Sequence, residues 1–252
     1  LKPSEIQACA FCVCSSGSQT MHRLQVLTGH VQDNPKQCSI SPSMTAIDAK
    51  PKLTYFPFAG RGELSRLIAA VGGVELEDDI VSPGAHKKVA VVSELFGSVP
   101  VLTHGDLHLC QSLAIQTYLA AISPKFQGLT AQQRAVDDMF CGIKEDMLVV
   151  CVRVLFRDPK SAPKEIPKLF DKFLGGLEQL VPTSGFVNGL QYPTVADLAV
   201  VVITQAELPY GVCIKLAGGY DLSKFPKIMA LAQRTAASSA VKEYLKTSKT
   251  LK

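Results

Sequence analysis

Val99-Pro-Val-Leu-Thr-His-Gly-Asp-Leu-His-Leu-Cys-Gln-Ser112 is the stretch on which the fold of this chain turns. Residues 99–103 and 107–110 are short runs of strand-favouring types, joined by His104-Gly105-Asp106, whose glycine suits a tight hairpin turn. Ser112 follows at once as a good N-cap, and Ile115, Tyr118 and Leu119 recur behind it at helical spacing until Ser123-Pro124 stops the run. Upstream, residues 52–56 alternate around Leu53 and Tyr55 as a strand. Gly60-Arg61-Gly62 then opens a helix with the apolar stripe Leu64, Leu67, Ile68 and Val71, ended by Gly72-Gly73. Residues 74–81 suit a second strand.

Beyond Pro124 the strand patterns cease. Thr130 with Gln133 forms a capping box, and Val136, Phe140, Ile143, Met147 and Val150 recur at helical spacing. Ile166, Leu169, Phe173, Leu177 and Leu180 mark a second helix entered through prolines. Thr194 with Asp197 is another capping box, opening a run from Leu198 to Ile203 that is apolar on every side and must be buried. Pro226 begins a further helix through Met229 and Leu231, and Val241, Tyr244 and Leu245 mark a last one. The order strand, helix, strand, hairpin, helix, then helices alone predicts α/β plus all-α. A thioredoxin-like domain spans residues 50–124 and an all-helical domain residues 128–252.

A chain of 252 residues can bury a substantial core, and 19% charged against 47% apolar residues is globular rather than disordered composition. No apolar run reaches the length of a membrane helix, so a soluble protein without a membrane partner is expected. The net charge of +4 comes partly from Lys242, Lys246, Lys249 and Lys252 in the tail, a solvated face. Without zinc-finger spacing or an aromatic RNA-reading cluster, nucleic acid is set aside. Cys110, Cys141, Cys151 and Cys213 lie singly in patterned sequence and read as small hydrophobes of a reducing compartment.

Residues 1–49 show no sustained period and read as a disordered leader or non-native extension, with Met44 the preferred start over Met21. Cys9, Cys12, Cys14, Cys38, His22 and His30 crowd this segment, but their spacing matches no closed zinc site. A truncated targeting peptide around residues 6–14 is the alternative.

Four stretches carry a family resemblance: Lys52-Leu-Thr-Tyr-Phe-Pro-Phe-Ala-Gly-Arg61, Ser98-Val-Pro-Val-Leu102, Cys110-Gln-Ser-Leu-Ala-Ile115 and Tyr192-Pro-Thr-Val-Ala-Asp-Leu198. In this order and spacing residues 50–252 resemble the cytosolic glutathione transferases, most closely the tyrosine-type classes that include sigma. The resemblance implies a cytoplasmic homodimer that adds glutathione to small hydrophobic electrophiles in detoxification, with isomerase or peroxidase activity as further uses. It implies no metal and no cofactor, glutathione being the co-substrate. Its rival is a relative that keeps the fold as a binding or structural protein without turnover.

The resemblance assigns Tyr55 the catalytic part. A phenol at the end of the first strand can donate to the glutathione sulfur, and lowering a thiol from about 8.5 by roughly two units stabilises the anion by about 2.7 kcal/mol. Arg61 is implied to support the thiolate. Val99 is implied to pair with the cysteinyl backbone through a cis bond to Pro100. The γ-glutamyl carboxylate is implied to rest at Gln111 and Ser112, where a helix N-terminus favours an anion. Asp137, or Asp138 beside it, matches an acid that reaches the glutamyl ammonium of a neighbouring subunit, and it is placed opposite the apolar stripe. Phe58, Ile143 and Met147 are implied to line the second-substrate pocket between the domains. Two departures stand out: the chain has no Trp, so that Lys88 or Lys87 would hold the glycyl end by charge, and Ser98 replaces the usual Gln before Val-Pro.

Overall fold

The computed structural model describes residues 49–251. The leader, its candidate starts and its Cys and His residues lie outside them. The α/β half runs β1 (Lys52–Tyr55), α1 (Glu63–Gly72), β2 (Glu77–Ile80), a 3-10 turn (Ala85–Lys88), α2 (Ala90–Glu94), β3 (Val101–His104), β4 (Leu107–Cys110) and α3 (Ser112–Ile122). The helical half holds α4 (Ala131–Arg157), α5 (Ala162–Leu180), α6 (Val195–Gln205), α7 (Val212–Leu216), α8 (Pro226–Ala237) and α9 (Ser239–Thr247).

The sheet order is β2-β1-β3-β4. β1 lies parallel to β2, Leu53 opposite Asp78, and antiparallel to β3, Leu53 opposite Leu102. A parallel pair needs a crossover, which α1 supplies. The expected stripe of α1 understates its burial: besides Leu64, Leu67, Ile68 and Val71, the polar Glu63, Ser65 and Arg66 are buried. The reason is topological, since α1 packs on α3 within its own half and on α6 and α9 of the other. Gly73 ends it in the left-handed conformation at φ 80.

Differences from the sequence reading are local. β3 starts at Val101, after a proline that has no N–H for the ladder, and β2 is shorter than residues 74–81. In α5 the buried positions are Ile166, Leu169, Phe170, Leu174 and Leu177, whereas Phe173 is half-buried and Leu180 is 58% exposed. The 3-10 turn, α2 and α7 carry too few apolar repeats to show a period. Cys141, Cys151 and Cys213 are buried free thiols, as their sequence context suggests, and Cys110 is half-buried and free. Among the described residues no helix is long and apolar enough to cross a membrane.

Both capping boxes form. The Thr194 hydroxyl meets the third helical amide while Asp197 Oδ2 accepts the Thr194 N–H at 2.8 Å, and Asp197 Oδ1 accepts the Val187 N–H at 2.9 Å. Burial lifts the Asp197 carboxyl from 3.8 to about 6. The folded chain therefore holds a proton that the unfolded chain releases between those values. This group's contribution to stability rises as pH falls through 6 and is lost as pH rises through it. Between pH 7 and pH 5 the wild type should gain about 1 kcal/mol on Asp197→Asn, read as the difference in their denaturation midpoints. A difference that stays constant with pH would contradict the assignment.

Candidate active site

The end of β1 turns through Phe56-Pro57-Phe58-Ala59-Gly60 into α1, and that turn builds the site around Tyr55, which is 4% exposed. Tyr55 Oη accepts the Arg61 N–H at 2.8 Å. An amide donating into the phenol oxygen polarises its O–H as a donor. Two glycines make the ring's place: a Cβ on Gly60 would overlap Oη and one on Gly62 would overlap the ring, and Gly60 also stands at φ 41. Phe58 meets the Tyr55 ring edge-on at 5.8 Å between centroids and stacks on Phe56 at 5.2 Å.

Arg66 fastens this turn from behind. Its Nη2 donates to the Phe56 carbonyl at 3.0 Å, its Nη1 to the Phe58 carbonyl at 3.1 Å, and its Nε to both carboxylate oxygens of Asp78 at 3.0 Å. Its guanidinium carbon lies 5.6 Å from the Tyr55 ring centre, a cation over an aromatic face. Glu63, fully buried, is its second ionic partner. Glu63 also accepts from the hydroxyls of Tyr244, Ser248 and Thr250 at the far end of the chain.

Arg61 reaches across to the helical half. Its Nε donates to Glu145 Oε1 at 2.6 Å, and Glu145 Oε2 accepts the Ser112 hydroxyl at 3.2 Å and the Lys144 ammonium at 3.3 Å. Burial pushes the Glu145 carboxyl up, but Lys144 and Arg61 together pull it below its ordinary range, so it is ionised. Two residues singled out in the sequence, Arg61 and Ser112, are thus joined through Glu145, which the sequence reading missed. The available signal was the Lys144-Glu145 pair inside an apolar period, with Lys144 one turn from both Phe140 and Met147.

Ser112 is the first residue of α3 rather than its cap. Gln111 takes the cap position, exposed and at φ 71, a conformation that non-glycine residues adopt at a cost and that clusters at functional sites. Val99-Pro100 is a cis bond, with Pro100 buried and Val99 half-buried. Lys88 and Lys87 are exposed, whereas His86 beside them is buried edge-on against Phe56 at 5.2 Å. Burial and then Lys87 lower the His86 pKa, keeping its ring neutral. Ile143 is half-buried beside this region of α4.

Two further sequence assignments change. Asp137 does not lie on a solvated face: it is buried, and its Oδ1 accepts from the Thr194 hydroxyl at 2.7 Å, the Ala196 N–H at 2.9 Å and the Asn188 amide at 3.0 Å. Its carboxylate is committed to the start of α6, because the apolar α6 leaves orphan amides that water cannot reach. Asp138 is exposed and accepts the Thr117 hydroxyl at 3.1 Å. Met147, assigned to the second-substrate pocket, is 0% exposed and belongs to the core. Burial pushes the Cys141 thiol up to about 12, which leaves it protonated and a poor nucleophile. Among the described residues no cluster of His, Cys, Asp and Glu could hold a metal ion.

Comparison with known proteins follows the same lines. A family model described as glutathione S-transferase, N-terminal domain, matches residues 51–121. The chain is 32% identical to glutathione S-transferase P 1 of Xenopus laevis over 205 residues, covering 77% of this chain and 91% of that one. It is 28% identical to hematopoietic prostaglandin D synthase of Gallus gallus over 208 residues, covering 77% and 94%. Among solved structures, a nematode-specific glutathione transferase of Caenorhabditis elegans superposes with a TM-score of 0.64 at 28% identity, covering 79% of this chain and 97% of that one.

Proposed function

Because the chain belongs to the glutathione S-transferase family, we propose that it stabilises the thiolate of bound glutathione with the Tyr55 hydroxyl and adds that thiolate to small hydrophobic electrophiles. The observation that carries this is Tyr55 Oη itself, held at the end of β1 by the Arg61 N–H at 2.8 Å, its ring in the space left by two glycines without a Cβ. The phenol donates to the sulfur, the thiol proton passes to solvent, and the sulfur lone pair forms the new bond to carbon as the electrophile's leaving group departs or its π-bond shifts. Arg61, fixed by Glu145, adds positive charge beside the sulfur.

The γ-glutamyl carboxylate rests on the free amides at the start of α3, with Gln111 beside it, and the Ser112 hydroxyl turns from Glu145 Oε2 to donate to it. Val99 pairs with the cysteinyl backbone, and Lys88 faces the glycyl end by charge. Phe58 and Ile143, each half-buried, border the electrophile. A tyrosine-type, cytoplasmic homodimer near the sigma class is the assembly we favour. The avian prostaglandin D synthase among the relatives makes isomerase chemistry a second use of the same thiolate.

Conjugation of an activated chloronitrobenzene, measured against pH, tests the reading. We expect a rate that rises with an apparent pKa well below the roughly 8.5 of a free thiol. A folded protein that gives no rate above the uncatalysed reaction supports the binding-protein alternative, for which the absence of any Trp and the residue Ser98 speak.

A further inference from the structure

Lys144 sits in α4 with its side chain 0% exposed. A fully buried ammonium is rare, and replacing a buried ion pair by apolar side chains is often neutral or stabilising. Glu145 does not need it, since Arg61 Nε already pairs with that carboxylate at 2.6 Å. The stem of Lys144 lies in the apolar stripe of α4, where a Leu or Met would be the less costly occupant. Its backbone is fixed as well, the Tyr210 hydroxyl donating to its carbonyl at 2.9 Å.

The charge has an effect at Ser112. Glu145 Oε2 holds the Ser112 hydroxyl at 3.2 Å, so an anion sits beside the very helix N-terminus that is to receive another anion. Arg61 with Glu145 sums to zero, and a neutral pair offers an incoming carboxylate little. Lys144, 3.3 Å from the same Oε2, brings the three-residue cluster to a net charge of +1. Its low-dielectric surroundings weaken screening, which makes that charge felt further than it would be in water.

We propose that Lys144 is a positioning residue for the substrate: its buried charge makes the Ser112 corner net positive and thereby selects ligands that carry an α-carboxylate on their γ-glutamyl end. The inference rests on the placement of glutathione given above. The ammonium of Lys144 is held by its ion pair with Glu145 Oε2 at 3.3 Å; burial lowers its pKa, and the Glu145 carboxylate opposes that shift.

The test pairs two ligands with two proteins. The ligands are S-hexylglutathione and its analogue in which 4-aminobutyryl replaces γ-glutamyl, which differ only in the α-carboxylate. Isothermal titration of the wild type should show a preference for the first. In Lys144→Met the affinity for S-hexylglutathione should fall on the order of tenfold, and that for the analogue by no more than about twofold. A merely structural role for Lys144 would weaken both ligands alike, and that result, or no loss for either, overturns the inference. Should Lys144→Met fail to fold, Lys144→Met/Glu145→Gln removes both buried charges and leaves Arg61, so the corner stays at +1 and the carboxylate preference should survive. Its disappearance there counts against the inference. A wild type that binds neither ligand refutes the placement of glutathione itself, an outcome distinct from an unselective Lys144 variant.

Discussion

Tyr55→Phe should lower the conjugation rate near pH 6.5 on the order of a hundredfold while leaving the fold in place, because it deletes a single hydrogen-bond donor aimed at developing negative charge. Phenylalanine fills the same slot between Gly60 and Gly62 beneath the Arg66 guanidinium, so the ring contacts persist. What disappears is Oη, and with it the acceptor that the Arg61 N–H meets at 2.8 Å. The deficit should shrink as pH rises past the ordinary thiol range, since there the thiolate forms unaided. A pH–rate profile of both proteins decides the matter. A deficit that is the same at every pH would assign Tyr55 to positioning rather than to the thiolate, and no deficit would remove it from the mechanism.

Arg66→Met should destabilise the protein by about 3–5 kcal/mol, the cost of leaving a buried charge without its partner. Glu63 is 0% exposed and Arg66 only 7%, so neither charge can recruit water without opening the helix. The same substitution frees the carbonyls of Phe56 and Phe58, which Arg66 holds at 3.0 and 3.1 Å, and loosens the turn that carries Tyr55. Activity should therefore fall along with stability. Chemical denaturation of Arg66→Met, and of Arg66→Met/Glu63→Gln in which the orphaned charge is also removed, measures the pair: the double variant should recover part of the loss. A loss below about 1 kcal/mol in the single variant would mean that Glu63 is satisfied by its hydroxyl donors alone.

Much of this is legible in the amino-acid sequence. The hairpin over residues 101–110, the two capping boxes and the apolar run after Thr194 are local features whose chemistry admits few alternatives, and each forms within two residues of its pattern. Tyr55, Arg61 and Ser112 stand out in the sequence because each sits at an element boundary, and the fold brings them together through the Arg61 N–H on Tyr55 Oη and through Glu145, which meets both Arg61 and Ser112. Asp137 is misplaced because a helical wheel tells which face a residue is on, but not how wide a buried face becomes when a second helix covers it; Met147 is buried as its place in the apolar stripe predicts, and only the pocket that the resemblance implied for it is not met. α6 lies on α4 and takes Asp137 as a cap, closing over what a single-helix pattern marks as solvent. Glu145 and the cluster around it escape because its partners come from the start of α1 and the start of α3. That convergence is a property of the tertiary fold, and its local trace is the Lys144-Glu145 pair set inside an apolar period.

The hydroxyls that satisfy Glu63 come from Tyr244 and Thr250, 181 and 187 residues further along the chain. A ribosome adding about 5–20 residues per second needs roughly ten to forty seconds to cover that distance. For that interval the carboxylate that pairs with Arg66 beneath the Tyr55 turn lacks its donors from Tyr244 and Thr250. The turn around Tyr55 is therefore completed only after residues 244–250 are made, and a chain that stalls short of residue 244 carries Tyr55, Arg61 and Ser112 without the hydroxyls that complete the Glu63 carboxylate.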